Sequence, residues 1–149
     1  MVSLKNRSKG FTIVELLIVI VVIAILATLV IVTFTGIQKK ARDSQRMTDI
    51  NALDSHLQAY YAENGYYPTY ADLTTATWVS TNLKGLDPAA LVGPNGGTLV
   101  AGAATGDSYG YAVTPTGCDN SSSTNDCTGF TLTAILEANG QVYTKSSNT

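Results

Sequence analysis

The sequence predicts an α+β fold in which one long N-terminal helix packs against a small antiparallel β-sheet. Residues 11–34 are apolar apart from three threonines and Glu15, and an amphipathic stretch follows them to Asn64. Alternating apolar residues near the C-terminus predict the strands of the sheet. The chain is therefore divided into a short basic segment (1–10), an apolar helix (11–36), the amphipathic half of the same helix (37–65) and a head (66–149).

The amphipathic half of the helix is expected to hold the head on its apolar face. That face consists of Ile37, Ala41, Ile50, Leu53, Leu57 and Tyr60. The opposite, solvent-facing side consists of Lys40, Asp43, Gln45, Asp49 and Glu63. Asn64 and Gly65, followed by Pro68, predict the end of the helix.

The head is expected to combine short helices, a surface loop and three strands. Thr69 and Asp72 have capping-box spacing, and Asp87 with Pro88 predicts a second short helix near Leu91. The Gly-rich stretch 93–106 is predicted to be a surface loop. Alternation over 109–113 and 130–136, with Asn139-Gly140 before Val142 and Tyr143, predicts a strand, a loop and a hairpin. The tyrosines are assigned to core packing, with their hydroxyl groups in water.

The charge of the head excludes one class of function, and its two cysteines predict a cross-link. Two basic and nine acidic residues follow Arg46, a net charge of −7, which argues against a nucleic-acid-binding groove. Cys118 and Cys127 lie close together in a polar loop, and they predict a disulfide between the first two strands if the head lies outside the cytoplasm.

No catalytic or cofactor site is predicted. His56 is the sole histidine, and the sequence selects no nucleophile or acid to act with it. Two cysteines and one distant histidine do not form a zinc set, and the oxygen ligands of 119–126 do not match a calcium-binding spacing. Asn120 begins a formal glycosylation sequon. We therefore expect a non-enzymatic protein with no cofactor and no metal.

Three interpretations compete for the N-terminal segment: a secretory signal, a plain membrane anchor and a processed filament helix. A secretory signal has an apolar stretch of about 7 to 15 residues before a small-x-small cleavage site. Here the apolar run lasts 24 residues and lacks that site. A helix of this length is about 36 Å long and can cross a hydrocarbon core of about 30 Å. Both remaining interpretations therefore allow a membrane span.

Glu15 decides between these two, because a carboxylate in an apolar helix needs a cationic partner. The apolar run contains no lysine or arginine. Cleavage between Gly10 and Phe11 would create an α-amine four residues before Glu15, on the same helix face. The physical chemistry thus favours a cut before Phe11.

The segment 9–20, Lys-Gly-Phe-Thr-Ile-Val-Glu-Leu-Leu-Ile-Val-Ile, resembles the class III signal of type IV prepilins and type II secretion pseudopilins. The resemblance implies cleavage by a prepilin peptidase after Gly10, N-methylation of Phe11, and pairing of Glu15 with a neighbouring N-terminus during assembly. It also implies the pilin fold, a cytoplasmic leader and an external head. The run from Ala52 to Thr69, with Asn64-Gly65-Tyr66-Tyr67-Pro68, is similar to the helix end of pilins and major pseudopilins.

One departure from the family pattern is the residue at position 32. Many pilins have a proline at the position held here by Val32. Thr28, Thr33, Thr35 and Gly36 are expected to loosen the helix there instead.

The resemblance implies a structural subunit of a type IV pilus, serving adhesion, twitching motility or DNA uptake. The alternative is a type II secretion major pseudopilin in a short periplasmic fibre, and a third interpretation is a signal-anchored extracytoplasmic binding domain or enzyme. The implied partners are other pilin subunits, the prepilin peptidase, an inner-membrane assembly platform with its ATPase motor, and membrane lipid before assembly. The implied location is the inner or cytoplasmic membrane for a single-pass precursor, then an extracellular pilus or envelope-spanning filament.

Overall fold

The computed structural model describes residues 10–147 and confirms the α+β fold class. Of the predicted leader, all but Gly10 lies outside the described residues. The described residues form two compact units, which divide between Gln38 and Lys39. The helices are α1 (Ile13–Asn64), α2 (Tyr70–Thr74) and α3 (Ala76–Asn82), followed by a 3₁₀ turn (Pro88–Leu91), and the strands are β1 (Val100–Ala101), β2 (Gly110–Thr114), β3 (Gly129–Ile135) and β4 (Val142–Ser146).

Helix α1 is continuous through the region where loosening was expected. The hydroxyl groups of Thr28, Thr33 and Thr35 donate hydrogen bonds to carbonyl oxygens three or four residues earlier, at 2.7 to 3.0 Å. These bonds satisfy the threonine side chains within an apolar segment, where no other polar partner is at hand. The helix has no break at Gly36, so the expected loosening is absent from this structure.

The end of α1 matches its prediction. The helix stops at Asn64, and Gly65 adopts a φ of 81° while its N–H donates to the carbonyl oxygen of Tyr61 at 2.8 Å. A positive φ of this kind is open to glycine without steric cost. The Thr69–Asp72 capping box also forms, at the start of α2. Asp87 caps the 3₁₀ turn through the N–H of Ala89, 2.9 Å away.

The sheet has the order β1-β2-β3-β4. Strands β2, β3 and β4 pair antiparallel, with Leu132 opposite both Tyr111 and Lys145. The two-residue strand β1 pairs parallel with β2. The sheet is therefore mixed rather than purely antiparallel, and the predicted Gly-rich loop contains β1. Such a short strand leaves no periodic pattern from which to predict it.

The core of the second unit lies between the C-terminal half of α1 and the sheet. Ile50, Leu53 and Leu57 are fully buried, as are Leu132 and Ala134 of β3. This part of the predicted apolar face is confirmed. Ile37 and Ala41 were wrongly assigned to the buried face, because both are exposed.

Asp43 was wrongly assigned to the solvent-facing side of α1. Its side chain is 8% exposed, and it faces the β3–β4 turn instead of water. The prediction failed because charge alone was used to place it, although a charged group can be buried when it is paired. The single helix predicted after Thr69 is in fact two, α2 and α3, joined at Thr75.

Two of the most deeply buried tyrosines bond through their hydroxyls to protein groups, a correction to the expectation that these hydroxyls would lie in water. Tyr111 donates to the carbonyl oxygen of Pro68 at 2.6 Å, and Tyr67 donates to the side-chain oxygen of Gln58 at 2.9 Å. Both rings are almost fully buried and pack against Phe130. Burial raises the pKa of both hydroxyls, which favours their neutral, hydrogen-bonding form.

The disulfide between Cys118 and Cys127 closes the loop between β2 and β3. Its Cα atoms are 5.2 Å apart, and both cysteines are buried. Tyr67 anchors the loop to the chain just beyond α1, because its N–H donates to the carbonyl oxygen of Cys127 at 2.8 Å. The cross-link thus holds a polar loop beside the end of the long helix.

We expect replacement of both cysteines by serine to lower the free energy of unfolding by about 2.5 to 3 kcal/mol, because closing a loop of this length removes that much chain entropy from the unfolded state. Denaturant titration can follow the fluorescence of Trp78, the sole tryptophan. Ser123→Ala, in the exposed part of the same loop, is the control. An unfolding midpoint equal to that of the unaltered protein would contradict the prediction.

Candidate functional site

Gly10 and Phe11 precede the first turn of α1, and both are exposed. Thr12 caps this turn. Its N–H and its hydroxyl both donate to the Oε2 atom of Glu15 at 2.9 Å, and the N–H of Glu15 donates to the Thr12 hydroxyl at 3.2 Å. These reciprocal bonds form a capping box, which satisfies amides that the helix itself cannot.

The capping box gives Glu15 a polar partner in the uncut chain. It supplies hydrogen bonds but no positive charge, so the carboxylate keeps its need for a cation. Phe11 stands directly before the cap residue, so cleavage at Gly10 would place the new amine beside this turn. The roles assigned to Gly10, Phe11 and Glu15 from the sequence remain predictions, because no cut chain or neighbouring copy is present.

The N-terminal half of α1 exposes apolar side chains on all sides. Its large apolar residues from Ile13 to Ile37 are 48% to 84% exposed. The helix is long and apolar enough to cross a membrane. Such a surface is stable only in lipid or against other apolar helices. Unit 1 therefore requires a membrane or a partner to cover it.

Comparison with known families identifies this N-terminal segment. Residues 5–31 match the model of the prokaryotic N-terminal methylation motif. The match includes Gly10, Phe11 and Glu15, the residues on which the sequence interpretation rests. The chain carries a prepilin N-terminus. The expected resemblance to type IV pilins and type II secretion pseudopilins is thereby confirmed.

Curated relatives match part of this chain. The type II secretion system core protein G of Dickeya chrysanthemi is 39% identical over 66 residues, 44% of this chain and 43% of that protein. The same protein of Aeromonas hydrophila is 42% identical over 65 residues, 44% of this chain and 46% of its own length. The type IV major pilin protein PilA of Myxococcus xanthus is 33% identical over 66 residues, 44% of this chain and 30% of its own length.

The chain spans less than half the length of the relatives that it matches. No solved structure matches the chain significantly.

A charged cluster in the second unit centres on Arg46, whose side chain is 1% exposed. Its guanidinium group pairs with Asp43 at 3.1 Å, Asp107 at 2.9 Å and Glu137 at 2.6 Å. Arg42 forms two further bonds with the Glu137 carboxylate, at 2.8 and 2.6 Å. The cluster therefore ties α1 to the loop before β2 and to the β3–β4 turn.

The carboxylates of this cluster have further donors. Asp43 accepts the backbone N–H groups of Glu137 and Ala138 at 2.7 and 2.9 Å, which fixes the turn on the helix. The amide nitrogen of Asn95 donates to both Asp107 and Glu137 at 3.1 Å. The hydrogen bonds from Arg42, and then those from Arg46, lower the pKa of Glu137 to about 2. Glu137 is consequently ionised at any physiological pH.

A second buried polar contact joins α1 to the sheet region. The hydroxyl of Tyr109, fully buried, donates to the Asp49 carboxylate at 2.7 Å. Burial raises the pKa of Asp49, while this hydrogen bond partly offsets the rise. Burial also raises the pKa of Tyr109, so the phenol stays protonated as the donor.

The residues considered for metal binding or modification have other roles. Among residues 10–147, no group of histidine, cysteine and carboxylate side chains could hold a metal ion. In the disulfide loop, Asp119 accepts hydrogen bonds from Ser121 and Asn125. The Asn120 amide donates to the Tyr67 carbonyl oxygen at 3.0 Å, and its oxygen accepts the Cys127 N–H at 2.8 Å. A glycan on this nitrogen would disturb the bonds that anchor the loop.

The Arg46 cluster was not predicted from the sequence. No role was assigned to Arg42 or Arg46, and Glu137 was only one of the nine acidic residues counted after Arg46. The available signal was the spacing of Asp43 and Arg46, which puts opposite charges one turn apart on the face that continues to Ile50 and Leu53. The acidic partners of Arg42 and Arg46 in the head are 61 to 95 residues away in sequence, so only the fold identifies them.

Proposed function

We propose that this chain is a structural subunit of a filament, cut between Gly10 and Phe11 and assembled through its apolar helix. One observation carries the proposal: the exposed apolar helix has Glu15 in its first turn, one turn from the amine that the cut would create, within the segment that matches the N-terminal methylation motif. The same reasoning assigns no catalytic role to the chain, since its relatives are named as a core protein of a secretion system and as a major pilin.

Assembly would proceed by exchange of partners at Glu15. In the precursor, Thr12 satisfies the carboxylate by hydrogen bonds alone. Cleavage frees the amine of Phe11, and N-methylation leaves it a secondary amine that keeps its positive charge. Pairing of that amine with the Glu15 carboxylate of a neighbouring copy neutralises both charges in an apolar surrounding. It also fixes the axial position of one helix against the next.

The favoured filament is the fibre of a type II secretion system. The relatives named as core protein G of that system support this alternative more strongly than the type IV pilus favoured by the sequence alone. The pilus remains the second candidate, because of the similarity to PilA of Myxococcus xanthus. Loss of the gene should block secretion of specific proteins in the first case, and should remove long surface fibres in the second.

The proposed pathway starts at the membrane. The precursor would cross the inner or cytoplasmic membrane once, with the leader inside and the head outside. Its partners would be the prepilin peptidase, an assembly platform with an ATPase motor, and other copies of the chain. Lipid would cover the apolar helix until those copies replace it.

Mass spectrometry of the native N-terminus tests the proposal directly. We expect the mature protein to begin at an N-methylated Phe11 and Gly10→Leu to stay uncut, because a bulky residue would occupy the position before the scissile bond. Gly36→Ala lies in the same helix, where a Cβ atom meets nothing within 4 Å, and should be processed normally. A full-length chain recovered from assembled fibres would refute the proposal.

A further inference from the structure

The second unit has opposite charges at its two ends. Lys39 and Lys40 at its start are exposed, and neither forms an ion pair within residues 10–147. The next two cations along α1, Arg42 and Arg46, are held by acidic side chains of the head. Lys39 and Lys40 are therefore the cations that this end offers to another molecule.

The other end of the unit is acidic. Glu63 is exposed in the last turn of α1, a turn that contains no basic residue. The negative end of the helix dipole adds to its charge. The disulfide loop, with Asp119 and Asp126, is anchored at Tyr67 just beyond the helix. Lys84 lines the same cleft as Glu63 and offsets part of this charge, which leaves the end negative overall.

These two ends cannot neutralise each other within one copy. Lys40 and Glu63 are 23 residues apart on one continuous helix, a separation of about 35 Å along the axis. A second copy displaced by about that length, with its helix parallel, would bring its Glu63 end beside Lys40. Contacts between two different surfaces of the same chain propagate into open filaments instead of closed dimers.

We propose that Lys39 and Lys40 of one copy contact the acidic end around Glu63 of another copy, as a head-to-tail contact in the filament. The inference rests on the proposed function, because the apolar helices must first bring the copies together. Its energetic role is to reinforce, between copies about 35 Å apart along the filament, the register that the Glu15 pairing sets between neighbours, since complementary charges favour one register and like charges disfavour the others.

Cross-linking in assembled fibres tests the contact. Ala41→Cys and Ala62→Cys, both exposed, place neutral thiols next to Lys40 and Glu63. The two native cysteines are joined to each other, so the new thiols are the free ones. A short bis-maleimide should then link copies into a ladder. Ala41→Cys with Ala89→Cys, an exposed site on the 3₁₀ turn, is the matched control and should give at least about tenfold less product.

Exchanging the charges of Lys40 and Glu63 tests whether their attraction causes the contact between copies. In the Ala41→Cys, Ala62→Cys background, Lys40→Glu should lower the ladder yield about tenfold, because like charges would meet, and adding Glu63→Lys should restore it. Lys145→Glu makes the same change in net charge on β4 and should leave the yield unchanged. A yield that Glu63→Lys does not restore would overturn the proposal.

If the lysines bind the membrane instead of another copy, the same experiments should give a different result. Ladder yields equal in Lys40→Glu and the parent chain, together with weaker binding of Lys40→Glu to phosphatidylglycerol vesicles, would overturn the contact between copies and assign Lys40 to lipid. The proposed function fails separately, if the fibres lack chains that begin at Phe11. Fibres of processed chains without the Ala41–Ala62 cross-link would overturn this inference alone.

Discussion

Glu15→Gln is expected to be cut and membrane-inserted normally but to assemble into fibres at least about tenfold less than the unaltered chain. Glutamine can accept the same hydrogen bonds from Thr12 that glutamate accepts, so the first turn of α1 stays capped. Only the charge is lost. A loss of 1.4 kcal/mol per contact already lowers an equilibrium tenfold, and pairing of opposite charges in an apolar surrounding exceeds that value.

The measurement is the ratio of fibre to membrane-bound subunit after shearing and sedimentation, with the N-terminus checked by mass spectrometry. Asp87→Asn is the control, because asparagine also caps helices well and position 87 is exposed. It removes the same charge from the head and should assemble normally. Equal assembly of Glu15→Gln and the unaltered chain would mean that the carboxylate does not drive polymerisation.

The N-terminal half of the fold was predictable because its determinants are local. The apolar run, the glycine after Asn64 and the capping pair Thr69–Asp72 each act within a few residues. The strands and the hairpin were predictable for the same reason, since a period of two and an Asn-Gly turn are local signals. The Glu15 hypothesis likewise needed only a span of five residues.

The polar contacts inside the head were not predictable from local pattern. Asp43, Arg46 and Asp49 look like surface residues in a sequence, and each is instead satisfied by a group far along the chain. The mixed sheet was missed for a related reason, since β1 has two residues and owes its place to β2. Pairing across long sequence distances decides such features, and the amphipathic period contains no information about it.

Arg46→Ala is expected to lower the free energy of unfolding of the head by about 3 to 5 kcal/mol, the cost of removing one partner from a buried ion pair. Asp43 would lose its cation, and Asp107 and Glu137 would lose part of theirs. Trp78 packs against Tyr60, with ring centroids 5.3 Å apart, so its fluorescence reports on the head in the detergent-solubilised chain. Lys84→Ala, an exposed cation, should change the stability by less than about 0.5 kcal/mol. If both variants lowered the free energy of unfolding by a similarly small amount, the cluster would contribute little to the stability of the head.

The same cluster predicts how the head responds to acid. The folded-state pKa of Glu137 is lowered from 4.5 to about 2, so protons bind the unfolded chain more readily and oppose folding as the pH falls. The stabilisation from this group is therefore complete above about pH 4.5 and is lost progressively as the pH falls towards 2. The Glu137→Gln variant has no ionisable group at this position, so its free energy of unfolding should fall less steeply over that window than that of the unaltered head. Its free energy of unfolding at neutral pH should be lower, because the ion pairs with Arg42 and Arg46 are gone. Parallel pH profiles for the two proteins, measured by denaturant titration with Trp78 fluorescence, would show that the acid sensitivity of the head arises from other carboxylates.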